Sequence, residues 1–255
     1  MSSGAHRRLT RRLLSMGTGG LYWPWLQEPD GTSLMRLNRR RANKFILGCI
    51  IDYQIPADKA WANAARLAET VLRDPAYLWR SIARIPERVW MARRKEYSWL
   101  HRFPAAHERV WRIGRAIHET YAGDARQIWR GRSPEEVKER LLQLGLGPQL
   151  SRMAVGALID TGHLLGSGDV KADLNVCRSL GRLVPGAPVT PDQATQMTRA
   201  MYPRNPWRLD AVLFQLGRGV CRATRKCSRC SLSDACAYYK KPRRTPRKRL
   251  TSAWS

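Results

Sequence analysis

The chain has 255 residues, 43% of them apolar, which is enough for one large domain or two small ones and too many for a disordered basic tail. Its 46 Lys and Arg against 20 Asp and Glu leave a formal charge of +26, which opposes compaction and suits a polyanionic partner, nucleic acid ahead of an anionic membrane surface. The longest wholly apolar run, Phe45 to Ile51 with Gly48 inside it, falls far below the ~20 residues of a spanning helix, and no apolar leader with a cleavage site opens the chain; the expectation is a soluble intracellular protein with no membrane partner.

Residues 1–20 are basic and Gly/Ser-rich, with Arg7, Arg8, Arg11 and Arg12 and no acid, and are expected to be mobile. Tyr22-Trp23-Pro24-Trp25 is aromatic enough to dock on a core. From about Ser33 onward the pattern is helical. Leu47, Ile50, Ile51 and Gln54 share one predicted face, and Trp61, Ala64, Ala65, Ala68 and Leu72 recur at helical spacing. Asp74-Pro75 and Ile85-Pro86 punctuate the helices that follow, because proline starts or ends them. His107 to Tyr121 predicts an amphipathic helix with Val110, Ile113 and Ile117 on one side. Ser133-Pro134-Glu135-Glu136 is a helix start, with a capping serine, a first-turn proline and two acids at the positive dipole end. No stretch alternates apolar and polar residues as a half-buried strand would, so the fold is expected to be all-α. The tail beyond Asp234 is basic again, with Lys240, Lys241, Arg243, Arg244, Arg247, Lys248 and Arg249 and no acid, and is expected to be disordered until it meets phosphate.

Three motifs carry chemistry. Leu144-Gly145-Leu146-Gly147-Pro148-Gln149 places a Gly-x-Gly turn before an apolar helix, whose free first-turn N–H groups form a natural phosphate site; by itself such a turn is more often only a tight connection. Val170-Lys171-Ala172-Asp173-Leu174-Asn175-Val176 offers an acid that would also serve as an ordinary helix cap. Cys221-x5-Cys227-x2-Cys230-x5-Cys236 packs four thiols into 16 residues, while Cys49 and Cys177 stand alone in apolar contexts. Reduced intracellular thiols at this spacing read as metal ligands, and spacing alone leaves both an iron–sulfur cluster and zinc open.

In their order and spacing these motifs resemble the endonuclease III and adenine glycosylase branch of the helix-hairpin-helix DNA glycosylases, over roughly residues 35–240. Leu216 through Cys236 is similar to that branch's iron–sulfur loop, although the first gap here is five residues where the family has six. The resemblance implies a [4Fe–4S] cluster on Cys221, Cys227, Cys230 and Cys236, with Arg222, Arg225, Lys226 and Arg229 meeting phosphate. It implies that Gly145, Gly147 and Gln149 grip the DNA backbone, and that Asp173 is the catalytic anion for an oxocarbenium-like transition state. Gln54 aligns with the residue that fills the hole left by the flipped base. Asp52 and Tyr53 replace small residues and are expected to line the base pocket.

Two departures refine the expected activity. Bifunctional members carry a lysine two residues past the second hairpin glycine; here that position is Gln149, which cannot form a Schiff base, so a monofunctional hydrolase without lyase activity is expected. Adenine-excising members place a glutamate where Cys49 stands, which argues against adenine excision. The implied architecture has a basic segment (1–34) contributing to the cluster domain, a six-helix domain (35–166), an iron–sulfur cluster domain (167–240) and a basic tail (241–255), with a DNA cleft between the two domains. The expected partner is double-stranded DNA bearing a damaged or mismatched base. The expected state is a monomer in a prokaryotic cytoplasm, associated with the nucleoid. The competing readings are a bifunctional glycosylase/lyase using another lysine, a non-catalytic iron–sulfur DNA-binding protein and a zinc-ribbon RNA binder.

Overall fold

The computed structural model describes residues 3–17 and 37–240, and within them every regular element is a helix. The aromatic Tyr22–Trp25 segment and the basic run from Lys241 onward lie outside the described residues. Helix α1 is Ser3–Ser15, followed by α2 (Arg39–Ile51), α3 (Ala57–Arg66), α4 (Leu78–Ala83), α5 (Glu87–Ala92) and α6 (Pro104–Thr120). Then come α7 (Pro134–Gln143), α8 (Pro148–Asp160), α9 (Leu174–Leu183), α10 (Pro191–Met201), α11 (Asp210–Arg218) and the short α12 (Ala237–Lys240).

The predicted punctuation holds where local chemistry sets it. The side chain of Asp74 accepts from Ala76 N at 2.9 Å and opens a 3-10 turn on Pro75. Ser133 and Glu136 close a reciprocal capping box at α7: Glu136 N donates to Ser133 Oγ at 3.3 Å, and Ser133 N donates to Glu136 Oε2 at 2.8 Å. The predicted His107–Tyr121 helix starts three residues earlier, because Pro104 occupies the first turn where its missing N–H costs nothing.

Two apolar cores organise the chain. The larger is built around α2, which is buried at ten positions, and it takes in Trp61, Trp79, Trp90 and the apolar faces of α6, α7 and α8. Asn43 sits at its centre, fully buried but fully used: its amide donates to Pro75 O, Ala76 O and Gly123 O, and its oxygen accepts from Trp79 Nε1 and Ala125 N. The smaller core joins α9, α10 and α11 with Leu232 and Cys236 of the cysteine loop.

Trp207 joins the larger core although its neighbour Leu209 lies in the smaller one. Its ring lies over Gly156 of α8, where a Cβ would fall 2.1 Å from the indole, and its Nε1 donates to Asp160 Oδ2 at 2.8 Å. Glycine at 156 is therefore what lets the two cores meet at this point.

Two expectations need correction. The basic N-terminal segment is not loose over residues 3–15: α1 buries Leu9 and Leu13 in the smaller core, and Arg12 forms a bidentate pair with Asp234 at 2.6 and 2.9 Å. Arg12 also donates to Ser231 O. Its two buried leucines, four residues apart, form a stripe that the surrounding arginines mask in a count of composition. Gln54 does not share a face with Leu47 and Ile50, because α2 ends at Ile51 with Asp52 as C-cap and Gln54 lies beyond it in a left-handed conformation (φ 53°).

Candidate active site

The hairpin turn between α7 and α8 is set by its glycines and by Leu146. Gly145 has φ 95°, a conformation that residues with a Cβ avoid, and its Cβ position would meet the Arg112 guanidinium at 2.8 Å. Leu146 is buried and anchors the turn through its N–H to Leu141 O at 2.9 Å. Gly147 is the N-cap of α8 without a side-chain cap, and Pro148 follows it, so the first-turn N–H groups of α8 lack partners within the helix. Gln149 comes next, half-buried, and its Oε1 is buried with no hydrogen-bond partner.

Asp173 caps α9. Its Oδ1 accepts from Asn175 N at 2.7 Å and Val176 N at 3.0 Å, and the residue remains half-buried at the start of the helix. This holds the carboxylate in one orientation and leaves Oδ2 without a protein partner among the described residues. Behind it lies Asp210, the first residue of α11, which is 2% exposed and accepts from Lys171 N at 2.6 Å. Burial, reinforced by the charge of Asp173, pushes the Asp210 carboxyl up to about 8. At neutral pH Asp210 therefore keeps its proton for most of the time.

The Lys171 side chain crosses to the other core. Its Nζ lies 3.2 Å from Asp52 Oδ2 and 3.2 Å from Met153 Sδ, joining residues 119 apart in sequence. Both charged side chains are largely removed from solvent, Lys171 at 15% and Asp52 at 6% exposure. Cys49, one turn before Asp52, is fully buried, and burial followed by the Asp52 charge pushes its thiol well above the usual range.

Tyr53 belongs to a different group from Asp52. Its ring stacks on His101 with centroids 4.5 Å apart, Phe103 lies 6.5 Å away at 16°, and the Arg109 guanidinium covers it at 4.5 Å. Burial pushes the Tyr53 phenol up and the His101 imidazole down. Gln54, next in the chain, is exposed.

The four loop cysteines line one small, open hollow together with Arg182, Leu216, Tyr238 and Tyr239. Burial pushes the Cys230 thiol up, and the nearby charges of Cys221, Cys236 and Cys227 act in the same direction. Arg182 Nη1 lies 3.6 Å from Cys221 Sγ and donates to Cys221 O and Arg222 O at 3.1 and 2.7 Å. Among the described residues no three His, Cys, Asp or Glu side chains converge as ligands of one ion. Arg222, Arg225, Lys226 and Arg229 are all exposed around the hollow.

The structure thus brings Asp173, Lys171, Asp210 and Asp52 to one region where the two cores meet, and sets the cysteine hollow apart within the smaller core. Asp210 and the Lys171–Asp52 pair are the residues that sequence reasoning missed as a unit. The one available signal was the near-absence of polar residues in Leu209-Asp210-Ala211-Val212-Leu213, which flags a buried acid.

No family model and no curated protein matches the chain. Among solved structures, it resembles endonuclease III in a non-covalent complex with DNA (TM-score 0.64, 14% identity, 94% of this chain and 98% of the other). A thermostable thymine-DNA glycosylase superposes with a TM-score of 0.61 at 13% identity, over 94% of this chain and 98% of that one. Endonuclease III trapped as a covalent intermediate with DNA gives 0.61 at 13% identity, over 92% and 97%. The likeness is one of fold: this chain has the all-α, endonuclease III-like helix-hairpin-helix architecture.

Proposed function

We propose that this protein is a DNA glycosylase that hydrolyses the N-glycosidic bond of a damaged or mismatched base flipped out of duplex DNA, without a lyase step. The observation that carries the reading is Asp173: a carboxylate fixed by two backbone N–H groups, with one oxygen left over, at the meeting of the two cores of a fold shared with DNA glycosylases. Departure of a base leaves oxocarbenium-like charge on the deoxyribose. An anion that need not reorient stabilises that charge and can align the attacking water. Asp210, holding its proton near neutrality, keeps the region from accumulating a second negative charge beside Asp173.

The other residues have distinct roles. Gly145 and Gly147 let a phosphate approach the first turn of α8, and the exposed Arg222, Arg225, Lys226 and Arg229 extend that contact along the backbone. Exposed Gln54 fills the gap left in the base stack. Gln149, a neutral amide where bifunctional enzymes of this fold carry their lysine, offers no amine to C1′.

Cys221, Cys227, Cys230 and Cys236 fit a [4Fe–4S] cluster. A cubane takes one sulfur per iron, which suits four thiols that line one hollow. When bound, the cluster would crosslink the loop and hold its basic side chains in place. Its expected signature is a brown protein absorbing near 400 nm.

The test is base release from a panel of single-lesion duplexes, scored with and without alkali, for the native chain and for Asp173→Asn. Asparagine also caps helices, so the fold should survive while release falls by about 1000-fold or more. Full activity in Asp173→Asn would refute the mechanism. A second reading, a lyase step, is favoured only by the Lys171 amine beside Asp52. Borohydride trapping of a covalent protein–DNA adduct would establish it in place of simple hydrolysis.

A further inference from the structure

We infer that Asp52 and Lys171 together read the base, and that they select nucleobases presenting a lactam edge, a ring carbonyl beside a ring N–H. The inference rests on the glycosylase reading above and names the substrate class of that same site.

The geometry comes first. Asp52 caps α2, whose apolar side chains build the larger core, whereas Lys171 lies two residues before Asp173, between Val170 and Ala172 of the smaller core. The ammonium contacts Asp52 Oδ2 and Met153 Sδ, both at 3.2 Å, which leaves one of its three hydrogens unassigned. Asp52 Oδ1 accepts nothing among the described residues. Met153 lies one turn beyond Gln149 on the same face of α8, and Gln149 Oε1 is buried with no partner. Among the described residues, one ammonium hydrogen of Lys171, one carboxylate oxygen of Asp52 and, one turn from Met153, the orphaned Gln149 Oε1 thus lack protein partners, and Lys171 lies two residues before Asp173. A buried acceptor left without a hydrogen is costly, so a ligand that supplies one is favoured there.

The complementarity is specific. A ring carbonyl accepts from the Lys171 ammonium, and the adjacent ring N–H donates to Asp52 or Gln149. Uracil, thymine and hypoxanthine all present that edge. Cytosine and adenine present the reverse, an amino group towards the ammonium and a ring nitrogen lone pair towards the carboxylate, and both contacts are repulsive. The same ammonium serves the departing base. As the C1′–N bond breaks, its electron pair moves onto the base and reaches the carbonyl oxygen, where Lys171 stabilises it. Water oxygen bonds to C1′, and one water proton ends on the base nitrogen. Cys49 is fully buried, so stabilising the charge on the departing base falls to the Lys171 ammonium.

The test uses the full chain in single-turnover release from duplexes carrying uracil opposite guanine, thymine opposite guanine, hypoxanthine opposite thymine, 1,N6-ethenoadenine and 3,N4-ethenocytosine. The etheno bridge removes the edge donor. At least one lactam base should leave about 100-fold faster than either etheno base. Whether it is the pyrimidine or the purine distinguishes the two sources of that edge. Lys171→Met should slow release of that base by about 100-fold. The double variant Asp52→Asn with Lys171→Met strands no buried charge; it should show the same loss while binding a tetrahydrofuran abasic duplex within about threefold of the native chain. Etheno bases released as fast as uracil and hypoxanthine, or a double variant at native rates, would overturn the inference and leave the glycosylase reading standing; the pair would then be a lock between the two cores. Release of no base from any duplex would overturn both.

Discussion

The two cores solve the same problem with different means. The larger is closed mainly by aromatic and aliphatic side chains: Phe45, Trp79 and Trp90 are fully buried, and its central polar residue, Asn43, is saturated with hydrogen bonds. The smaller contains no tryptophan or phenylalanine among its buried members, borrows Leu9 and Leu13 from the far end of the chain, and surrounds a hollow with four thiols. Small cores that bury little apolar surface need crosslinks. The region that carries the catalytic candidate is thus the one that leans on a distant helix and, in the proposed reading, on a bound cluster.

Removing the crosslink should have the largest effect. Cys227→Ser is expected to abolish the absorbance near 400 nm and to open residues 167–240 to proteolysis, while the larger core around the buried Trp79 and Trp90 stays resistant. Simultaneous loss of both cores would show that they are one cooperative unit. Leu13→Ala is next: a fully buried leucine taken from the smaller core should cost about 3–5 kcal/mol by denaturant unfolding, far more than an N-terminal residue normally does. A negligible change would mean that α1 contributes nothing to that core.

The third prediction concerns pH. Below 3.8 both folded and unfolded Asp210 hold a proton; between 3.8 and about 8 only the folded one does, so its contribution to stability falls as pH rises through that window. Asp173, Lys171 and Asp160 are the charged groups acting on it. Asp210→Asn keeps an acceptor for Lys171 N and cannot ionise. Its stability should overtake that of the native chain by on the order of 3 kcal/mol between pH 5 and pH 8. Parallel melting curves across that range would refute the buried-acid assignment. Smallest is Arg12→Ala. The Arg12–Asp234 pair is exposed on both sides, at 39% and 67%, and its loss should cost no more than about 1 kcal/mol, with the difference vanishing in high salt.

The contrast between the cores also separates what was legible in the sequence from what was not. Caps and turns could be read because they are local: Ser133 with Glu136, Asp74 before Pro75, and Asp173 at α9 all bond within three residues. The cysteine spacing was legible for the same reason, since four thiols within 16 residues cannot be far apart. The docking of α1 was hidden, because its partner Asp234 lies 222 residues away and no local pattern records it.

By itself the sequence determined the helical class, the Gly145–Gly147 hairpin, the capping carboxylate at Asp173 and the thiol cluster, because each follows from spacing along one helix or one loop. Only the tertiary structure decided that Asp210 is a buried acid behind Asp173 and that Lys171 reaches Asp52. It also decided that Gln54 leaves its helix face in a left-handed turn, and that Trp207 joins the larger core over Gly156. The physical reason is range. Hydrogen bonds within a turn are specified by neighbours, while burial and charge pairing depend on which distant surfaces meet, and in this protein those meetings bring Asp52, Lys171 and Asp210 together.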